Sequence, residues 1–167
     1  FEIWQCFAEL MDNSLDAFTD ASKHGTQIKG PRIDVCWSNS SVAATEREIE
    51  IRDNGLGMPL EVLNNAARAG FSSNDPIYNL GLFGMGFNIA TARLGEKTVF
   101  LSTVEGADEW SGIRIDFDEL IKGGTFHAPI VREKKDDPSE SGTRIIVGGL
   151  KNNIFSQLNT KQSAIRQ

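Results

Sequence analysis

The chain has 167 residues, with 17 Lys and Arg against 23 Asp and Glu for a formal charge of -6, and 40% of its residues are hydrophobic. This composition is that of an ordinary globular protein, and it excludes disordered and collagen-like architectures. A chain of this length typically buries roughly 70% of its unfolded surface. We therefore expect one domain over residues 1–167 with a core of its own.

The same sequence argues against a membrane, nucleic acid or a cysteine-bound metal as a direct partner of this chain. No apolar run approaches the roughly 18 residues that span a bilayer, so we expect no membrane segment. The acidic balance lacks the basic footprint of a nucleic-acid binder, so nucleic acid would be bound only through domains outside this chain. Cys6 and Cys36 lack metal-ligand spacing, which suits a reducing, cytoplasmic location. The start has no basic leader and no initiator Met, from which we expect a piece of a larger protein.

The first half of the chain predicts a helix followed by two strands. Apolar side chains recur every three to four positions over residues 3–18, the spacing of an amphipathic helix. Residues 33–37 and 48–53 alternate between apolar and polar side chains, as strands with one buried face do. A glycine turn ends the second strand, and a proline opens a short predicted helix over residues 59–69.

The second half predicts a lid, a helix and a run of strands. Residues 70–86 are rich in glycine and serine, and a segment of this length without regular structure is expected to be functional or mobile. Helical spacing resumes over residues 87–94, and predicted strands follow at 98–104, 112–117 and 144–147, with a weaker one at 128–131. The order of elements predicts an α+β two-layer sandwich, with helices on one face of a mostly antiparallel sheet that ends in a β-meander.

Three oxygen-bearing side chains lie on one face of the first predicted helix. Glu9, Asn13 and Asp16 are spaced i, i+4 and i+7, so they project from the same side. A solvated helix face is the commoner fate of such residues, and the spacing alone does not decide between that and a binding site.

A second group of interest is Asp53-Asn54-Gly55-Leu56-Gly57-Met58, at the end of a predicted strand. Here a carboxylate can point into a cleft and accept a hydrogen bond from an exocyclic amine, while glycines let a planar ligand approach the backbone. Asn-Gly is also a common hairpin turn signal, and Met58 would then only fill the core. Both interpretations stay open at this point.

The third group is the glycine run from Gly81 to Phe87, which precedes a predicted helix. Free backbone N–H groups at a helix start could bind phosphate. The run is not the GxxxxGK[ST] phosphate loop, because no Lys follows and no strand immediately precedes it.

Taken together and in order, these segments resemble the GHKL ATPase superfamily, the nucleotide-binding domain shared by DNA gyrase, the ninety-kilodalton heat-shock chaperones, sensor histidine kinases and MutL repair proteins. The matching segments are residues 9–17, 53–58, 81–87 and Gly142-Thr143, and the resemblance implies a Bergerat-type ATP-binding fold. The glycine run is closest to the chaperone branch, whereas Gly70-Phe71-Ser72-Ser73 is similar to the MORC-like branch. Both branches stay open.

The resemblance implies a role for each matching residue. Glu9 would be the general base for the attacking water, Asn13 a Mg²⁺ ligand and Asp53 the acceptor for the adenine amino group. Asp16 would support the site. The remaining predicted cofactor-binding residues shape the adenine floor, place a hydroxyl near Asp53 or hold phosphates through backbone N–H groups from Gly84 to Phe87. They are Gly55, Gly57, Met58, Thr143, Gly81, Gly84, Met85, Gly86 and Phe87.

The implied function is Mg²⁺-dependent binding and hydrolysis of ATP to ADP, with a glycine lid that closes over the nucleotide. Closure would drive self-association or docking with a C-terminal domain. Relatives usually complete the γ-phosphate site with a Lys or Arg from such a domain, so we do not expect efficient hydrolysis by this chain alone. Two alternatives remain: a histidine kinase catalytic domain, in which the position of Glu9 is usually Asn, and a non-hydrolysing nucleotide sensor.

Overall fold

The computed structural model of the protein describes residues 2–63, 84–119 and 129–165. The helices that these ranges contain in full are α1 (Ile3–Lys23), α2 (Gly84–Leu94) and α3 (Asn152–Ile165), and Ala44–Glu46 forms a 3₁₀ turn. The strands are β1 (Ile33–Trp37), β2 (Glu48–Asp53), β3 (Lys97–Thr103), β4 (Glu109–Asp116), β5 (Ile130–Lys134) and β6 (Gly142–Gly148).

The six strands form one sheet in the order β1-β2-β6-β3-β4-β5, and every neighbouring pair is antiparallel. Only β3, β4 and β5 form the predicted meander. The last strand returns to the middle of the sheet, between β2 and β3, and so corrects the prediction that it would end the meander. It is paired on both edges, and its Ile145 and Val147 are buried while Ile146 between them is partly exposed. This return places Thr143 directly opposite Asp53.

The core lies between the sheet and the helices. From α1, the buried side chains include Ile3, Cys6, Leu10 and Ser14, which lie three or four positions apart. Helix α2 lies beside α1 and packs on β3. Its Phe87 is 1% exposed, and its ring meets that of Phe100 edge to face with centroids 6.3 Å apart. Full burial of one such side chain contributes roughly 1.5–3 kcal/mol.

The predicted fold class is confirmed, and several predicted boundaries move. The first helix runs to Lys23 instead of residue 18, because Ala21 adds a buried contact one turn later. The helix predicted to start at Phe87 includes Gly84–Gly86 as well. Glycine costs about 1 kcal/mol relative to Ala in a helix, which made these residues look like a loop, but packing of α2 against α1 offsets that cost.

Two elements differ more strongly from prediction. Helix α3 was not predicted, although Ile154, Phe155 and Leu158 recur at helical spacing and are buried. The weak strand expected at residues 128–131 is instead β5, an edge strand whose side chains are mostly exposed and so lack an alternating pattern. Of the predicted helix over residues 59–69, positions 60–63 are helical. Positions 64–69, together with residues 70–83 of the predicted lid, lie outside the described residues.

The two cysteines should react very differently. Cys6 is fully buried in α1, and this burial raises the pKa of its thiol, so little nucleophilic thiolate is present. Cys36 is exposed on β1. We expect a maleimide to modify Cys36 alone in the native protein and both thiols in denaturant, as counted by mass spectrometry. Native labelling that persists in Cys36→Ser would contradict this assignment.

Candidate functional site

Asp53 is a buried carboxylate at the end of β2. Asp53 is 5% exposed, and each of its two carboxylate oxygens accepts a hydrogen bond from a different donor. Ser14 of α1 donates its hydroxyl to Oδ2 at 2.9 Å, and the backbone N–H of Gly55 donates to Oδ1 at 2.8 Å. Because each carboxylate oxygen has two lone pairs, Asp53 can still accept a hydrogen bond from a ligand.

A cavity of about 400 Å³ opens beside Asp53. Its apolar surface includes Met58, Phe100 and Ile145. Its polar lining includes Asp53 and Thr143, together with Asp20, His24 and Thr26. The cavity also contacts α1 through Asn13, Ser14 and Ala17, and the turn after β2 through Gly55, Leu56 and Gly57. Ligand cavities commonly have this volume and combine apolar walls with polar groups that fix the ligand. An apolar slot with a buried carboxylate suits a planar heteroaromatic ligand that carries an amine.

A larger cavity, about 500 Å³, adjoins the first and shares Thr26, Asp53, Gly55 and Leu56 with it. It is lined by charged side chains that largely pair with each other: Arg32 Nε with Asp34 at 2.8 Å, and Arg52 Nη2 with Glu140 at 2.9 Å. Charges that are paired and face solvent contribute little favourable binding free energy to an apolar ring. The smaller cavity is therefore the better candidate for an aromatic ligand.

The turn after β2 packs tightly on the end of β3. The backbone N–H of Met58 donates to the hydroxyl of Ser102 at 2.8 Å. Gly57 has φ +69, and a Cβ at this position would overlap the carbonyl oxygen of Thr103. Both the backbone conformation and the close approach require glycine here.

Gly57→Ala should consequently destabilise the protein by at least about 2 kcal/mol, from the left-handed backbone and from the overlap together. Urea unfolding measures this loss. Gly106→Ala is the matched control, because Gly106 has φ +81 but nothing within 4 Å of a Cβ. Equal losses in the two variants would show that the approach to Thr103 is not tight.

The predicted residues of α1 divide into three positions. Asn13 lines the cavity, and its side-chain nitrogen donates to the carbonyl oxygen of Glu9 at 3.1 Å. Glu9 is half-buried, and its carboxylate lies so close to Gly86 of α2 that a Cβ there would overlap it. Asp16 is exposed and is not among the residues that line the cavity. The structure thus brings Asn13 to the cavity and Glu9 to the start of α2.

The glycine run is partly within the described residues. Gly84, Met85 and Gly86 belong to the first turn of α2, and Gly81 lies outside the described residues. The side chain of Phe87 is buried in the core. A contact between Phe87 and a ligand would therefore involve the backbone.

Two serines that support the site were not singled out from the sequence. Ser14 lies one turn after Leu10 on the buried stripe of α1, and a polar residue at a core-facing position is the signal that could have revealed it. Ser102 of β3 accepts from Met58 and donates to the carbonyl oxygen of Gly142 at 3.0 Å. Both hydroxyls hold the walls of the cavity in place.

The described residues contain no group of three or more His, Cys, Asp or Glu side chains that could hold a metal ion. None of the helices in the described part of the chain is long and apolar enough to cross a bilayer.

Comparison with protein families matches residues 1–143 to the family described as histidine kinase-, DNA gyrase B- and HSP90-like ATPase. The chain is 33% identical over 103 residues to Protein MICRORCHIDIA 7 of Arabidopsis thaliana, an alignment that covers 61% of this chain and 13% of that protein. It is 27% identical over 143 residues to Protein MICRORCHIDIA 1 and Protein MICRORCHIDIA 3 of the same plant, over 84% of this chain and 21% and 23% of those proteins. The chain thus spans less than a quarter of the length of these relatives.

Proposed function

Because this chain belongs to the family of histidine kinase-, DNA gyrase B- and HSP90-like ATPases, we propose that it binds ATP and, within its intact protein, hydrolyses it to ADP in a Mg²⁺-dependent reaction. The observation that carries this proposal is the buried carboxylate of Asp53 beside an apolar slot of about 400 Å³. Family membership implies a nucleotide ligand, and the slot supports adenine as its base.

The preference for adenine follows from the chemistry of Asp53. The exocyclic amine of adenine can donate to this carboxylate, whereas guanine carries an acceptor oxygen at the corresponding position. A buried carboxylate that faces an acceptor loses a hydrogen bond at a cost of about 1–3 kcal/mol. Gly55, Gly57 and Met58 line the cavity that would hold the ring, and Thr143 supplies a hydroxyl on the neighbouring strand.

The phosphates are proposed to lie toward Glu9 and α2. Ser14, which holds Asp53, lies five positions after Glu9 in α1. This corresponds to about 7.5 Å along the helix axis. A nucleotide lying along α1 would then place its base at Ser14 and its phosphates near Gly86. Backbone N–H groups at the start of α2 suit anions. Glu9 would orient the attacking water and accept its proton.

Bound Mg²⁺ would neutralise charge on the phosphates, and Asn13 is the proposed protein ligand through its side-chain oxygen. Its amide nitrogen already donates to Glu9, which fits a metal contact through the other atom of the amide. Asp16 stays a proposed support of the site, although it is exposed and outside the cavity lining.

We expect Asn13→Ala to remove most of the Mg²⁺ dependence of ATP affinity, since Mg²⁺ held by phosphates and waters takes few protein oxygens. Calorimetric titration of ATP with Mg²⁺ and with EDTA measures the ratio of affinities. Asp16→Ala serves as the comparison and should keep the wild-type ratio. The opposite pattern in the two variants would transfer the metal role to Asp16.

The remaining parts of the proposal concern the larger assembly. The glycine-rich segment that includes Gly81 would close over the nucleotide, and closure would promote self-association or docking with a domain beyond these residues. Such a domain would also supply the Lys or Arg that contacts the γ-phosphate. We propose that residues 1–167 act as one domain. We also propose a cytoplasmic location, because free thiols persist in a reducing compartment.

Thermal unfolding with ATP, ADP, GTP and tripolyphosphate, each with and without Mg²⁺, tests the proposal. Ligand at 100 times its Kd adds about 2.7 kcal/mol of stability, a shift of several degrees. We expect such shifts with ATP and ADP, and smaller ones with GTP and tripolyphosphate. Stabilisation by ATP without phosphate release from the intact protein would favour the non-hydrolysing sensor. Transfer of phosphate to a partner histidine would favour the kinase, and equal shifts with ATP and GTP would contradict adenine recognition.

A further inference from the structure

We propose that Lys135 is a positioning residue for nucleotide binding: its buried ammonium group holds the turn between β5 and β6 against the turn that carries Asp53. The inference rests on the proposed binding of adenine nucleotides. Lys135 lies outside the cavity lining, so it would act through the residues between it and the base site.

The surroundings of Lys135 are unusual for a lysine. The residue is 5% exposed, whereas lysine is almost never fully buried unless it is paired. Its Nζ donates to three backbone carbonyl oxygens, those of Val104 at 3.1 Å, Pro138 at 3.0 Å and Glu140 at 2.6 Å. An ammonium group has three N–H donors, so this arrangement satisfies all of them. Hydrogen bonds from a charged donor are roughly twice as strong as neutral ones.

The three carbonyls belong to two separate segments. Val104 follows β3, and Pro138 and Glu140 lie in the turn between β5 and β6. Two backbone bonds join the same segments: Gly106 N–H donates to Pro138 at 2.9 Å, and Lys135 N–H donates to Asp108 at 3.0 Å. Lys135 therefore fastens the β5–β6 turn to the end of β3.

The fastened turn reaches the base site by two routes. Ser141, next to Glu140, donates its hydroxyl to the carbonyl oxygen of Gly55 at 2.7 Å. The N–H of Gly55 in turn donates to Asp53. The side chain of Glu140 pairs with Arg52, the residue before Asp53 in β2, at 2.9 Å.

Removing the ammonium group would take a charged donor from each of the three carbonyls. Those of Val104 and Pro138 would keep the backbone N–H groups of Ala107 and Gly106 as donors. The main loss therefore falls on Glu140, and the turn around it would shift to regain a hydrogen bond with water. If Ser141 and Glu140 shift, the hydrogen bond to Gly55 and the ion pair with Arg52 are lost. The Asp53 carboxylate is then no longer held in its orientation. The expected defect is thus weaker recognition of the base, with the phosphate contacts unchanged.

The test compares Lys135→Met with Lys134→Met, a matched control at an exposed neighbouring lysine of β5. ATP, ADP and GTP are titrated calorimetrically at a temperature well below the melting point of each variant. For Lys135→Met we expect the affinities for ATP and for ADP to fall by the same factor, about tenfold, and the preference for ATP over GTP to fall as well. Lys134→Met should match the wild type. A purely structural lysine would lower the melting temperature without changing these affinities.

A second variant keeps the test decisive if Lys135→Met does not fold. Ser141→Ala removes only the hydroxyl that reaches Gly55, and we expect a loss of ATP and ADP affinity of several-fold with the fold retained. Wild-type affinities in folded Lys135→Met, or in Ser141→Ala if the first variant does not fold, would overturn this inference and leave the proposed function intact. Failure of the wild-type chain to bind either adenine nucleotide would overturn both.

Discussion

Replacing Glu9 with Ala is expected to lower ATP turnover by about 10²- to 10⁴-fold while ATP affinity stays within a few-fold of the wild type. General-base removal has this magnitude, and the loss is expressed only in the transition state. Glu9 lies against Gly86 at the start of α2, where the phosphates are proposed to bind. A carboxylate beside phosphates contributes nothing favourable to ground-state binding, so its removal should not weaken affinity.

The turnover measurement requires the intact protein, because the proposed γ-phosphate contact comes from outside residues 1–167. Asp12→Ala is the control, since Asp12 is an exposed carboxylate on the same helix. We expect this control to hydrolyse ATP at the wild-type rate. If Glu9→Ala does so too, Glu9 belongs to a solvated helix face, and the kinase or sensor function becomes the better hypothesis.

Replacing Asp53 with Asn is expected to weaken ATP binding by about 10- to 100-fold and to reduce the preference for ATP over GTP, since the loss of a charged acceptor costs about 1–3 kcal/mol. Asn keeps the size of the side chain and one acceptor oxygen for the N–H of Gly55, and the hydroxyl of Ser14 can accept from its amide. The fold should therefore persist.

Calorimetric affinities for both nucleotides, together with a melting curve of the unliganded variant, distinguish the two possible roles of Asp53. A ligand-free melting temperature far below that of the wild type would make Asp53 primarily structural. Unchanged discrimination between ATP and GTP in a well-folded variant would remove Asp53 from base recognition.

Local sequence patterns were sufficient for the elements that carry the site. Alternation predicted β2 over residues 48–53, as observed, and so placed Asp53 at a strand end. The helical spacing of α1 put Glu9 and Asn13 on one face. The place of β6 between β2 and β3 was not predictable in this way, because strand order depends on contacts distant in the chain. That order brings Thr143 beside Asp53.

The resemblance to the GHKL superfamily is confirmed by the family match over residues 1–143. The glycine motifs left two branches open, the chaperone-like and the MORC-like. The three relatives named above are MICRORCHIDIA proteins, which represent the MORC-like branch. The supporting residues were harder to predict. The place of Ser14 on the apolar stripe of α1 was a usable signal, whereas a lysine in a charged turn looks like a surface residue, and only the packing shows that Lys135 is buried.

The most direct test of the central claim is a crystal structure of the chain with Mg²⁺ and a non-hydrolysable ATP analogue. We predict that the adenine ring occupies the cavity between Met58 and Ile145, with its amino group within hydrogen-bonding distance of the Asp53 carboxylate and its phosphates directed toward Glu9. Adenine bound elsewhere, or in this cavity with its amino group turned away from Asp53, would contradict the account.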